Sequence, residues 1–234
     1  MQIHQELINK VMKELGLRKV TGADISDEQN EFLSTLPPII TVSRNPGSGG
    51  RPIAKLVAEK LGFKYYNQEL VNEIARSAKM RKNLLSEVDE KGRSLMTDFV
   101  HGMLNPDYIS DVEYMRHLCK VVLTIAYKGK AVILGRGANF ITPFASGLHV
   151  RVTAPKRVRL RRAIQYEGLS ETEAKKVLNS TEKDRKNFIK QYFDKKIGDP
   201  EYYDLILNTS FYNLDQSARV IKKAFEQKFT KGTM

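Results

Sequence analysis

Apolar residues fall along this chain in two rhythms: short unbroken runs, and stripes that recur every three to four positions. The runs at 39–44, 63–66, 131–135, 148–153 and 203–208 read as strands, and runs this continuous suit a parallel sheet covered on both faces. Ile53, Leu56, Val57 and Leu61 form a stripe that predicts a helix ending near Gly62. A similar stripe through Ile3, Leu7, Ile8, Val11 and Leu15 predicts a helix over 2–16, while 18–37 is polar and irregular and runs into Pro37-Pro38. Residues 1–38 are therefore read as a helix and linker ahead of one domain over 39–234. Within that domain, 68–129 is mainly helical by pattern, with breaks at Gly92 and Asn105-Pro106. Residues 156–197 read as a charged helical hairpin, and a last helix covers about 214–229. Strand–helix alternation of this kind predicts an α/β fold: a three-layer, doubly wound, parallel five-stranded sheet with two helical insertions.

The first strand runs straight into Arg44-Asn-Pro-Gly-Ser-Gly-Gly-Arg51. Gly47, Gly49 and Gly50 permit left-handed backbone and close approach, so several N–H groups can converge on an anion at the start of the next helix. Pro52 suits a first helical turn, where its missing donor costs nothing. Against the phosphate-loop pattern G-x-x-x-x-G-K-[ST], with Gly49 as second glycine, Arg44 stands at the first glycine, Gly50 at the lysine and Arg51 at the hydroxyl position.

Length and composition narrow the class. At 234 residues, with 41% hydrophobic and 28% charged residues, the chain has the makeup of a soluble globular protein, and no apolar run approaches the roughly 18 residues that span a bilayer. The start of the chain has no secretory pattern and there is one cysteine, Cys119, read as a small core residue. A cytoplasmic setting is the expectation. Four histidines, His4, His101, His117 and His149, share no metal-ligand spacing with Cys119, so no structural zinc is expected. The net charge of +12 makes nucleotides and other polyanions electrostatically suitable partners. Much of the excess lies in 151–196, ordinarily the mark of a solvated helical face.

Several arginines stand where anion chemistry would use them. Arg136 follows the third strand directly, at the sheet edge where ligands bind in such folds. Arg159 and Arg162, three apart, share a helix face, and Arg185 on the next helical segment could converge from the other side. At this point the chain resembles a known family. Ile40-Thr-Val-Ser-Arg44, Gly47-Ser-Gly-Gly-Arg51, Leu61-Gly-Phe-Lys-Tyr-Tyr66, Val132-Ile-Leu-Gly-Arg-Gly-Ala138, Arg159-x-x-Arg162 with Glu167-Gly-Leu-Ser170, and Tyr203-Asp-Leu-Ile-Leu-Asn-Thr-Ser210 are similar to the cytidylate-kinase-like branch of the nucleoside monophosphate kinases. The resemblance covers roughly four-fifths of the chain, from 39 to about 225.

The resemblance implies transfer of the γ-phosphoryl group of ATP, carried with Mg2+, to CMP or dCMP. It implies a donor loop of Ser43, Arg44, Gly47, Ser48, Gly49, Gly50 and Arg51, with Arg51 standing in for the lysine. Arg136 would meet the acceptor phosphate, with Glu182 and Asp184 on the acceptor side. Arg159, Arg162 and Arg185 would be the cations of a mobile lid, 156–197, and 68–129 would be the acceptor-binding region. Two departures stand out: the loop lysine is Gly50, and the family's aspartate–glycine–arginine–aspartate motif is Leu134-Gly135-Arg136-Gly137, without either carboxylate. The metal ligands are therefore left open, as is the oligomeric state. A nucleotide-binding regulator without turnover is the second reading, and a nucleic-acid-binding protein ranks below it. No membrane association is expected.

Overall fold

The computed structural model describes residues 36–67, 69, 71 and 111–229. The expected N-terminal helix and most of the 68–129 excursion lie outside the described residues. Strands β1 (Ile39–Arg44), β2 (Lys64–Tyr66), β3 (Ala131–Leu134), β4 (Gly147–Thr153) and β5 (Leu205–Asn208) form one sheet in the order β2-β3-β1-β4-β5. Every neighbouring pair is parallel, with Val42 opposite Leu134 and Val150, and Val150 opposite Leu205. Between strands run helices α1 (Gly50–Leu61), α2 (Asp111–Lys128), α3 (Ala138–Ile141), α4 (Lys156–Glu167) and α5 (Glu171–Phe193), and α6 (Leu214–Phe229) follows β5. This is the expected doubly wound, three-layer α/β fold.

The continuous apolar runs become the interior strands because both of their faces are covered. Side chains alternate between two cores, as the two-residue period of a strand requires. Ile39 and Ile133 point into a layer with Leu118 and Val122 of α2, whereas Ile40, Val42, Val132 and Leu134 point into a layer with Ile53 and Val57 of α1 and Ile221 of α6. The edge strand β5 is buried at only one of its four positions. It begins later than its apolar run because the Tyr203 N–H is taken by the Pro200 carbonyl in a 3-10 turn, Pro200–Tyr202.

Helix α1 stops where Gly62, at φ 66°, turns its N–H back onto the last carbonyls. Helix α5 starts on a capping box, in which Ser170 and Glu173 satisfy each other's backbone donors. The α4–α5 hairpin closes on its own small core of Ala163, Ala174 and Leu178. Cys119 is a buried core residue, as read, and burial raises its thiol to about 12. His149 is enclosed in the sheet with Nδ1 2.7 Å from Thr41 Oγ1. No helix among the described residues is long and apolar enough to cross a membrane.

Candidate active site

The loop between β1 and α1 lies at the C-terminal edge of the sheet, against β4 and the hairpin. Asn45 N–H donates to the Val152 carbonyl (3.0 Å), and the Ser48 hydroxyl lies 2.8 Å from the Asn45 carbonyl and 3.2 Å from that of Val152. Ser48 is wholly buried and its backbone N–H also donates to the Asn45 carbonyl (3.3 Å), so it shapes the loop from inside. Gly47 has φ 73°, and a Cβ there would stand 2.9 Å from the Arg159 carbonyl oxygen. The loop therefore touches the backbone of α4, which only glycine allows. The first N–H groups of α1 have no acceptor within the helix, so the loop and helix start form an anion-accepting concavity.

The arginines of the hairpin divide into two kinds. Arg159 is 6% exposed and spends its guanidinium on the Ala154 carbonyl (3.0 Å), the Pro46 carbonyl (3.3 Å) and Glu182 (3.0 Å). Glu182 also pairs with Lys186 at 3.0 Å. These two residues tie α4, α5 and the loop together on the outer side, and they line neither of the two cavities described next. Arg162 donates to Thr209 Oγ1 (2.9 Å), the Thr209 carbonyl (2.7 Å) and the Ser48 carbonyl (3.3 Å). Arg185 donates to the Arg44 carbonyl at 3.0 Å. Both keep part of their surface in a cavity.

Two cavities open at this edge. One of about 450 Å³ is bounded by Ser43, Arg136, Asn139, Asp184 and Phe188. The other, about 690 Å³, runs along the glycine loop and is bounded by Arg162, Tyr166, Tyr212 and Leu214. Arg44, Arg51, Thr181 and Arg185 line both, so the cavities meet at three arginines. Burial and the neighbouring Arg185, Arg51 and Arg136 push Arg44 down to about 9, and burial with Arg51, Arg151 and Arg136 pushes Arg185 down to about 10. Like charges held this close, partly out of water, favour a polyanion between them. Arg51 differs from its neighbours in being exposed and bonded to Glu69 at 2.7 Å.

Arg136 sits among three consecutive left-handed residues, Gly135 (φ 80°), Arg136 (φ 56°) and Gly137 (φ 64°). That turn lifts its guanidinium to 5.1 Å from the Phe188 ring centroid, a cation–π contact that aims it into the smaller cavity. A Cβ at Gly137 would stand 2.3 Å from the Phe193 ring, and Leu134 is fully buried in the sheet. The positions where the resembled motif has carboxylates are thus occupied by packing. With Arg51 at the hydroxyl position as well, the residues present do not fit a protein-held magnesium ion. Among the described residues no three of His, Cys, Asp or Glu stand together as a metal would need. Thr181, Phe188, Tyr166 and Thr209 carry no sequence signal of their own, although Thr209 falls inside the last quoted motif stretch.

The model of the cytidylate kinase-like family matches residues 39–211. The chain belongs to that family. It is 31% identical to a cytidylate kinase of Pyrococcus horikoshii over 189 residues, covering 80% of this chain and 88% of that one. A cytidylate kinase of Methanopyrus kandleri is 27% identical over 198 residues, 80% and 93% of the two chains. Among solved structures, an uncharacterized protein from Eubacterium ventriosum superposes with a TM-score of 0.60 at 21% identity, covering 81% of this chain and 98% of its own. Family membership bears out the resemblance drawn from the motifs, and the phosphotransferase class with it. It extends from the first strand to the loop after β5.

Proposed function

We propose that this cytidylate kinase-like protein transfers the γ-phosphoryl group of ATP to a nucleoside monophosphate, with CMP or dCMP the favoured acceptor. The observation that carries the reading is the meeting of two cavities at Arg44, Arg51, Thr181 and Arg185. One cavity follows the glycine loop, as a donor triphosphate would require, and the other is bounded by Arg136, as an acceptor phosphate would require. In-line transfer needs the two phosphates to face each other where water is excluded.

In this reading the loop N–H groups and Arg162 hold the donor phosphates, Arg136 holds the acceptor, and Arg44 with Arg185 neutralises charge at the meeting point. The acceptor oxygen is already anionic, so no general base is needed, and catalysis is positioning plus electrostatics. The hairpin 156–197 serves as a lid pinned to the loop through Arg159 and Arg162, and the 68–129 excursion completes the acceptor side. CMP or dCMP is preferred because the relatives at 31% and 27% identity carry the name cytidylate kinase. Magnesium would enter with the nucleotide, and no role here depends on protein ligands to it.

The test is ADP formation from ATP and magnesium across a panel of nucleoside monophosphates, against a control without acceptor. Acceptor-dependent turnover, highest with CMP or dCMP, is expected. Measurable ATP binding without turnover on any acceptor would replace the kinase with a nucleotide-binding regulator, for which Leu134 and Gly137 in place of carboxylates are the motivating observation.

A further inference from the structure

We propose that Arg44 and Gly50 are an exchanged pair: the cation that the phosphate-loop pattern places at position 50 is delivered in this chain from position 44, and the glycine of position 44 stands at 50. The inference rests on the reading of the loop as a triphosphate site and names the residue that does the lysine's work there.

Three observations carry it. First, the two positions exclude each other's side chains. A Cβ at Gly50 would stand 2.5 Å from Arg44 Cβ and 3.0 Å from its Cγ, and the next atom after those, Val152 Cβ, is at 3.5 Å, an ordinary contact. Only the stem of Arg44 forbids a side chain at 50. Second, the stem crosses Gly50 and carries the guanidinium onward to β3, where Nη1 would be 2.2 Å from a Cβ on Gly135. Arg44 thus lies across the ends of two strands at the junction of both cavities, where a phosphoryl group would pass between donor and acceptor. Third, Arg51, which the register offers as a substitute, is 61% exposed on its side chain and has its charge matched by Glu69. Arg44 is 8% exposed and stands among Arg185, Arg51 and Arg136.

The exchange has a chemical consequence. A lysine is a point charge on a flexible stem, whereas a guanidinium is a planar fork that can hold oxygens of two successive phosphates at once. Held between Gly50 and Gly135, that fork is oriented before the nucleotide arrives.

The experiment compares wild type with Arg44→Gly, Gly50→Lys and the double variant R44G/G50K, measuring tripolyphosphate affinity by calorimetry and ADP formation with CMP. Each single variant is expected to lose at least about tenfold in tripolyphosphate affinity, the scale of one charge-assisted hydrogen bond. The double variant is expected to recover to within about threefold of wild type, because the lysine then has both the space and the charge role. Arg44→Gln, which keeps the stem over Gly50 and removes only the charge, is expected to lose as much as Arg44→Gly and carries the test should a glycine variant fail to fold. The proposal is overturned if Arg44→Gln binds tripolyphosphate like wild type, or if the double variant binds no better than Arg44→Gly. The two readings separate cleanly. Recovery in the double variant without ADP formation on any acceptor would sink the kinase and leave the exchange standing. ADP formation indifferent to Arg44 would do the reverse, and a wild-type chain blind to tripolyphosphate would overturn both.

Discussion

Arg136 shows what a single residue in this site costs and supplies. A non-glycine residue in left-handed backbone costs on the order of 1 kcal/mol, and Arg136 is held there at φ 56° between two glycines that share the conformation. Its cation–π contact with Phe188 returns about 0.5–1 kcal/mol. The two nearly cancel, and Nε is buried without a hydrogen-bond partner among the described residues, so the arginine adds no net stability and stands at the wall of the smaller cavity. Arg136→Gly is therefore expected to leave the melting temperature within about 5 °C of wild type while lowering CMP-dependent ADP formation by about a hundredfold. Calorimetric scanning and a steady-state assay on one preparation decide it: a large drop in melting temperature would make Arg136 a structural residue, and unchanged turnover would remove it from acceptor binding. At this scale the sequence was partly legible. Arg136 could be found because it follows a strand in an α/β pattern. Arg44 could not be ranked above Arg51, because register in a loop does not say that the first guanidinium is buried while the second meets a carboxylate 18 residues further along the chain.

Helix α5 illustrates the same limit between elements. Its charges at 182, 184 and 185 predict shared or adjacent faces, but not what each face meets. The structure sends Glu182 to Arg159 and Lys186 on the outer side, Asp184 to the smaller cavity and Arg185 to the Arg44 carbonyl. The strands were legible because a doubly covered parallel strand has to be continuously apolar; the start of β5 was not, because a turn took the Tyr203 donor. The end of α5 also accounts for a departure from the family motif. Phe193 lies against Gly137, stacks at 5.2 Å on Phe140 and is 7% exposed. Restoring the carboxylate by Gly137→Asp would place a side chain in left-handed backbone and into that ring. The expected result is a loss of about 2–4 kcal/mol in urea unfolding, and a loss smaller by at least about 1 kcal/mol when the same change is made in a Phe193→Ala background, since neighbouring changes couple. Full additivity of the two variants would show that Phe193 does not hold position 137 to glycine.

For the whole molecule, the question is where a net charge of +12 acts. Along the helices several cations are locally matched at i,i+4 and contribute nothing to that excess: Lys55 with Glu59, Lys175 with Glu171, Lys186 with Glu182, Lys190 with Asp194, Arg219 with Asp215 and Lys222 with Glu226. Pairs of this kind contribute little to stability, but they flatten the field over the outer faces. At the C-terminal edge of the sheet, by contrast, Arg44, Arg51, Arg136, Arg162 and Arg185 line the two cavities, with Glu69, Asp184 and Glu167 as their acidic companions. The cleft thus gathers five guanidinium groups around a space the size of a nucleotide, where cations draw in a compact polyanion. Salt dependence tells a nucleotide enzyme from the nucleic-acid-binding reading. Raising salt from about 50 to about 500 mM should weaken ATP binding by around tenfold, since a buried cluster is only partly screened. A 20-base-pair duplex, held at the mouth of the cleft by phosphate contacts alone, should lose its affinity by a thousandfold or more over a comparable range, as counterion release dictates for roughly six or more phosphate contacts. Fluorescence anisotropy of a labelled duplex, with ATP as competitor, measures both. Displacement of the duplex by ATP at low salt and its disappearance before ATP binding fails would confine the basic field to the cleft; a duplex retained at about 500 mM salt beside saturating ATP would assign the charge to a second, nucleic-acid surface.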